Sequence, residues 1–162
     1  MLRRFEPRDA DTVHRWRGNP EFRRYLGGPT FDRAATEGAL EAWERHWGEH
    51  GFGLLAVDER ATGELVGRCG IAYHAVWPDD PEVGWAFDPA VWNRGFATEA
   101  GAACVVWGFG PLGFRRLVSI TVEENVASRR VMEKLGFAFL TAVTQPPPAP
   151  RLQVYSQDAQ LD

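Results

Sequence analysis

Apolar positions recur along this chain in two rhythms, every second residue and every third or fourth, and the switches between them mark its elements. Leu2–Phe5 reads as a short strand. Asp9 stands where a helix cap belongs, ahead of a helix to about Arg17 that carries Val13 and Trp16 on one face. Gly18-Asn19-Pro20 stops it, and Gly27-Gly28-Pro29 breaks the chain again. Asp32 then caps a longer helix to about Glu49, with Ala39, Leu40, Trp43 and Trp47 at helical spacing and Gly51 beyond its end. Alternation returns in Phe52–Val57 and Leu65–Tyr73, and the polar stretch Asp58–Gly63 between them predicts a hairpin.

In the second half, strands and helices take turns. Val76–Pro81, with its prolines and acids, predicts a loop, and Glu82–Asp88 a strand. Arg94–Phe109 reads as a helix that is apolar almost all round, hence buried. Leu117–Val122 is dense in β-branched residues and predicts a strand. Asn125–Leu135 follows as a helix ended by Gly136, then Phe137–Val143 and Leu152–Ser156 as strands. Between those two, the prolines of Gln145–Pro150 cannot sit in a ladder. The pattern implies one α/β domain over residues 1–162, a mixed sheet with helices on both faces. Its unit 82–88, 94–109, 117–122 is expected to be a right-handed parallel crossover.

Composition narrows the partners. The chain has 162 residues, 44% apolar and 25% charged, which is globular rather than disordered. A net charge of −4 argues against nucleic acid, whose phosphates need a basic patch. No apolar run approaches the roughly 20 residues that span a bilayer. Charge and proline arrive too early, in Met1 to Arg8, for a signal peptide, so a cytoplasmic location is expected. Cys69 and Cys104 stand in apolar segments without a CxxC, and read as small buried residues rather than metal ligands.

The chemistry concentrates at Trp92-Asn93-Arg94-Gly95-Phe96-Ala97-Thr98, which joins a strand to a helix. Such a turn presents N–H groups without an intrahelical partner at the positive end of a helix dipole, a place suited to a pyrophosphate. Gly95 and Ala97 admit close approach, and Arg94 adds a cation. Neither GxxxxGK[ST] nor GxGxxG occurs, so the ATPase and dinucleotide readings are weak.

Three ordered stretches change the weight of that turn: Pro81-Glu82-Val83-Gly84-Trp85, then Trp92 to Ala100, then Asn125-Val126-Ala127-Ser128-Arg129-Arg130-Val131-Met132-Glu133-Lys134-Leu135-Gly136-Phe137. Together they resemble the GNAT acetyltransferase superfamily, in the branch typified by ribosomal-protein N-terminal acetyltransferases. The resemblance covers roughly the first 145 residues. It departs from the family at Trp92, where Gln or Arg often begins the pyrophosphate loop.

That resemblance implies a mostly antiparallel central sheet of about seven strands with a splayed parallel pair, here Glu82–Asp88 and Leu117–Val122. It implies acetyl-CoA as donor cosubstrate, bound by Val83, Gly84 and Trp85, by Asn93 to Thr98, and by Asn125 and Ser128. It implies direct attack of a primary amine on the thioester, with no acyl-enzyme and no metal. Alternation puts Glu82, Gly84, Ala86 and Asp88 on one face of their strand. Glu82 is the candidate base, with His74 and Asp88 behind it. Ser128, on the inward face with Val131, Met132 and Leu135, is the candidate donor to the departing sulfur. Asn125 is expected to cap that helix onto the N–H of Ser128. Tyr25, Trp43, Trp77 and His74 are the candidate acceptor contacts. The acceptor amine, protein N-terminus or small molecule, is not legible. An inactive acyl-CoA sensor and a transferase of longer acyl groups such as succinyl remain alternatives. A homodimer is common in the family.

Overall fold

Helix caps account for much of the observed architecture. The structure, a computed structural model, describes residues 1–26, 32–146 and 148–160. Strand β1 is Leu2–Arg3, and a 3-10 turn over Pro7–Asp9 leads into helix α1, Ala10–Gly18. Asp9 occupies the cap position of α1 as expected, but its side chain caps nothing there. Its carboxylate is instead engaged by Arg3. Asn19 does more than end α1: its Oδ1 accepts from Glu21 N at 2.9 Å and starts a short helix α2, Pro20–Arg23. Pro20 sits in the first turn, where its missing N–H costs nothing, so the predicted stop is also a start. Asp32 caps helix α3, Arg33–His50, by accepting from Ala35 N at 2.7 Å. Gly51 closes α3 in the left-handed region at φ 73°. The predicted Gly27-Gly28-Pro29 break lies outside the described residues.

Strands β2 (Leu54–Asp58) and β3 (Leu65–His74) form the predicted hairpin, antiparallel from Leu54↔Gly70 to Asp58↔Leu65. Strand β4 runs Trp77–Phe87, so the loop expected over Val76–Pro81 is a correction: all but its first residue is strand. Pairing with the long β3 overrides the turn propensity of Pro78, Asp79 and Asp80. A 3-10 turn, Pro89–Val91, leads to helix α4 (Phe96–Phe109). Then come β5 (Arg116–Val122), helix α5 (Val126–Lys134), β6 (Ala138–Val143) and β7 (Leu152–Asp158). The seven strands are hydrogen-bonded in the order β1-β2-β3-β4-β5-β7-β6. Pairs β1–β2, β2–β3, β5–β7 and β6–β7 are antiparallel, and β4–β5 is parallel.

The chain divides into two compact units, residues 1–70 with 85–97 and residues 71–84 with 98–162. In the first, Val13, Trp16 and Phe22 form a buried cluster, joined by Phe5, Leu40, Trp43, Leu65 and Ala86. Arg3 ties its N-terminal strand down. The guanidinium forks onto both Asp9 oxygens at 2.7 and 2.8 Å and onto both Asp58 oxygens at 2.6 and 3.1 Å. Gly70 is required by contact, since a Cβ there would lie 2.4 Å from Gly53 O.

In the second unit, β5 and β7 pair from Arg116↔Asp158 to Val122↔Leu152, and Val83, Cys104, Leu117, Val118, Met132 and Val154 are buried. Helix α4 departs from expectation. It buries one stripe, Ala100, Gly101, Cys104 and Gly108, while Val106 is 70% exposed. After Glu99 its residues are apolar on every side, so the pattern carries little information about which face turns inward. Both cysteines are buried free thiols.

Candidate functional site

In the first unit the chain leaves β4 through Asp88. Its Oδ1 accepts from Ala90 N at 2.9 Å and caps the 3-10 turn, while its Oδ2 accepts from Trp16 Nε1 at 3.0 Å. Both oxygens of this runner-up base are therefore engaged in structural bonds. Trp92 donates from Nε1 to Phe87 O at 2.8 Å, which anchors the turn, and the residue is 43% exposed. Asn93 and Gly95 then adopt left-handed conformations, φ 61° and φ 88°, on either side of Arg94. Asn is one of the few side chains that tolerates this region, and Gly does so freely. The result is a tight, exposed turn of backbone leading into α4, whose first N–H groups lack intrahelical partners.

Arg94 is paired with Glu59, whose side chain is only 14% exposed, and its guanidinium lies 5.1 Å from the Phe96 ring centroid. The sequence reading missed Glu59. An acid in a polar turn gives no signal until the fold brings a cation to it. Trp85 is half-buried in this unit, as is Tyr25, with the Arg24 guanidinium 5.9 Å from the Tyr25 ring. Trp43 is one wall of a cavity of about 130 Å³.

In the second unit the parallel register sets Glu82 opposite Val118. One residue further along both strands, a side chain bridges them: buried Ser119 donates from Oγ to Val83 O at 2.8 Å. Beside this bridge, the Gly84 face is open. A Cβ at Gly84 would meet only the Glu82 carboxylate, its Oε1 at 3.7 Å. Alternation therefore holds, with Glu82 and Gly84 sharing a face and Val83 buried on the other.

Asn125 caps α5 as predicted, its Oδ1 accepting from Ser128 N at 3.1 Å. Ser128, Arg129, Val131 and Met132 are the less exposed positions of that helix, with Leu135 just after it, so the serine lies on the expected face. Thr98 is half-buried in the first turn of α4. His74 accepts from Val76 N at its Nδ1, 3.1 Å away, which leaves Nε2 as the protonated nitrogen of the neutral ring. Burial pushes the pKa of His74 below the ordinary histidine value. Trp77 donates from Nε1 to Asp80 Oδ2 at 3.0 Å.

The residues proposed from sequence thus fall in two groups. Tyr25, Trp43, Trp85 and Asn93 to Ala97 belong to the first unit. His74, Trp77, Glu82, Val83, Gly84, Thr98, Asn125 and Ser128 belong to the second. Among the described residues, no group of three or more His, Cys, Asp and Glu is placed to hold a metal, and no helix is long and apolar enough to cross a membrane.

Comparison with known proteins follows from the same elements. Residues 1–138 match the family described as acetyltransferase (GNAT) domain. The chain is 30% identical over 146 residues to an uncharacterized N-acetyltransferase, YoaA, of Bacillus subtilis, covering 85% of this chain and 78% of that one. Among solved structures it is similar to an acetyltransferase from Agrobacterium tumefaciens, with TM-score 0.82 and 29% identity, over 96% of this chain and 88% of that one. It shares its fold with the spermidine N-acetyltransferase of Vibrio cholerae in complex with CoA and spermine, at TM-score 0.79 and 16% identity, over 98% of this chain and 94% of that one.

Proposed function

The chain belongs to the GNAT acetyltransferase family, and from that membership we propose that it moves an acetyl group from acetyl-CoA to a primary amine. The observation that carries the donor half is the turn before α4. Left-handed Asn93 and Gly95 curl the backbone immediately ahead of a helix N-terminus, a combination suited to an anionic group such as a pyrophosphate. In this reading Asn93 to Thr98 hold the diphosphate through backbone N–H groups. The departure at Trp92 has little consequence for such a site. Arg94 contributes a guanidinium that Glu59 keeps in place.

The pantetheine arm lies along β4 at Val83, Gly84 and Trp85. The open side of Gly84 supports this, because a ligand approaching that backbone meets no Cβ. The Ser119 hydroxyl already occupies one lone pair of Val83 O, which leaves Gly84 and Trp85 as the freer backbone partners.

For the chemistry, the acceptor must reach the thioester as a neutral amine. Glu82, directly or through water, takes the ammonium proton. The amine nitrogen bonds to the acetyl carbon, the carbon–sulfur bond breaks, and the sulfur leaves with a proton donated by Ser128, whose hydroxyl is restored, through water, by the second proton that the nitrogen sheds as the amide forms. A positioned acid or base contributes about 10²–10⁴-fold. Asn125 supports Ser128 by fixing the first turn of its helix. The Asn125 to Phe137 motif also supports placement near the ribosomal-protein N-terminal acetyltransferases, and thus an exposed primary amine as acceptor.

The test is thiol release from acetyl-CoA over a panel of peptide, polyamine, aminoglycoside and amino-acid amines. Coenzyme A released only when an amine is present supports the proposal. No release with any amine, together with no thermal shift on adding acetyl-CoA, overturns it.

A further inference from the structure

Four consecutive residues, Trp92 to Gly95, stand exposed at the turn before α4, and two of them, Asn93 and Gly95, hold positive φ. An exposed turn of this kind keeps one shape only where something fixes it, because the packing that orders a core segment is missing. Trp92 is tied to Phe87 O, within the same connection. Arg94 is tied to Glu59, which the β2–β3 hairpin supplies from 35 positions earlier in the chain.

Glu59 is a fixed point. Its N–H donates to Glu64 O at 2.9 Å and its carbonyl accepts from Gly63 N at 2.8 Å, so the hairpin turn holds it at both ends of the residue. Asp58, immediately before it, is gripped by Arg3 through both carboxylate oxygens. The Glu59 side chain is 14% exposed against 51% for Arg94. The carboxylate is therefore the member of the pair that depends on its partner, whereas the guanidinium would be well solvated alone. Capture by a fixed acid is what removes the rotamer freedom of such an arginine. The Phe96 ring, 5.1 Å from the guanidinium, completes the hold. Arg94 and Phe96 lie on either side of Gly95 in the chain, so the two contacts together brace the turn across its left-handed glycine.

We infer that Glu59 is a positioning residue for the donor: acting through Arg94, it holds the Asn93–Gly95 turn in the shape that receives the diphosphate of acetyl-CoA. This rests on the acetyltransferase reading above. Glu59 itself does not touch the ligand. A lone carboxylate beside a diphosphate would repel it, and the pairing with Arg94 cancels that charge. The pair therefore sets geometry rather than adding net charge. Affinity for the diphosphate depends on it, and turnover of the bound donor does not.

The test is calorimetric titration of CoA and of dephospho-CoA into the whole chain and into its Glu59→Gln, Arg94→Met and doubly substituted forms, beside acetyl-CoA kinetics. Glu59→Gln keeps the size and removes the charge, and is expected to raise Kd for both ligands by the same factor, about tenfold. KM for acetyl-CoA should rise by a similar factor with kcat unchanged. In the Arg94→Met background, Glu59→Gln should have no further effect on Kd, since Glu59 acts only through that side chain. Glu64→Gln makes the same change of net charge at an exposed acid of the same hairpin and should leave Kd unaltered. Glu59→Asp withdraws the carboxylate by one methylene; it too should raise Kd, and it serves if Glu59→Gln does not fold. An unchanged Kd overturns the inference. So does a loss seen with CoA but not with dephospho-CoA, which places the effect at the 3′-phosphate, and so does a full loss in the Arg94→Met background. Binding weakened by Glu59→Gln without turnover on any amine counts only against acetyl transfer. No binding of CoA by the unsubstituted chain overturns the donor reading and this inference together, whereas turnover that Glu59→Gln leaves untouched overturns this inference alone.

Discussion

Ser119 donates its hydroxyl to Val83 O at 2.8 Å, and both residues are buried. The bond joins the two parallel strands beside their register pair, with a side chain where a ladder would use backbone. Removing the hydroxyl leaves a buried carbonyl short of a partner, which costs about 1–3 kcal/mol. Ser119→Ala is therefore expected to lower stability by that amount in urea unfolding. Ser119→Val, which also fills space, should cost no less, because it too removes the donor. If coenzyme binds along β4, KM for acetyl-CoA should rise in Ser119→Ala while Tm falls only by a few degrees.

Much of this site was legible before the fold was known, for a physical reason. Asn125, Asp32 and Gly51 act within one helical turn of themselves, so their capping roles depend on local sequence alone. The left-handed turn at Asn93 and Gly95 is local in the same way. The N-terminal part of β4 was not legible, since Pro78 and the two acids after it favour a turn and only strand pairing overrides them. Ser119 was equally hidden: one hydroxyl in a β-branched strand says nothing until β4 arrives beside it. The same holds for Glu59 under Arg94.

Arg3 should be the most sensitive charged residue of the first unit. Its side chain is 16% exposed and holds two carboxylates, Asp9 and Asp58, that are 4% and 8% exposed. Removing it leaves two nearly buried acids without their shared cation, a change that costs about 3–5 kcal/mol. Arg3→Ala is expected to lose that much in denaturant unfolding. Arg3→Lys should recover only part, because one ammonium cannot fork onto four oxygens. Equal stability for the Ala and Lys variants would contradict the clamp.

His74 gives a pH signature with a definite sign. Burial depresses its folded-state pKa below the ordinary histidine value of about 6.5. The unfolded chain therefore takes up a proton near pH 6.5 while the folded chain resists it. Stability from this residue is complete above that pH and falls as pH drops from about 6.5 toward the depressed folded value, then levels off. His74→Gln should flatten that part of the stability–pH curve. Titration of the His74 ring by NMR should show a midpoint below that of a histidine in an unfolded peptide.

Ser128 and Asn125 sit three residues apart and share one hydrogen bond, yet their loss should register in different measurements. Ser128 engages Asn125 through its backbone N–H, which an alanine retains. Ser128→Ala should therefore leave Tm within about 2 °C, since substitutions away from buried or capping features stay within about 0.5 kcal/mol. Its cost should appear in kcat, by about 10²-fold or more, if the hydroxyl protonates the departing sulfur. Asn125→Ala removes the acceptor of the cap and should cost about 0.5–2 kcal/mol of stability. Asn125→Asp restores an acceptor at the same place, next to a helix N-terminus that favours negative charge, and should recover the stability. A Ser128→Ala protein that unfolds early with unchanged kcat would reverse the two assignments, making the serine a structural hydroxyl of α5 and returning the search for the sulfur's proton donor to β4.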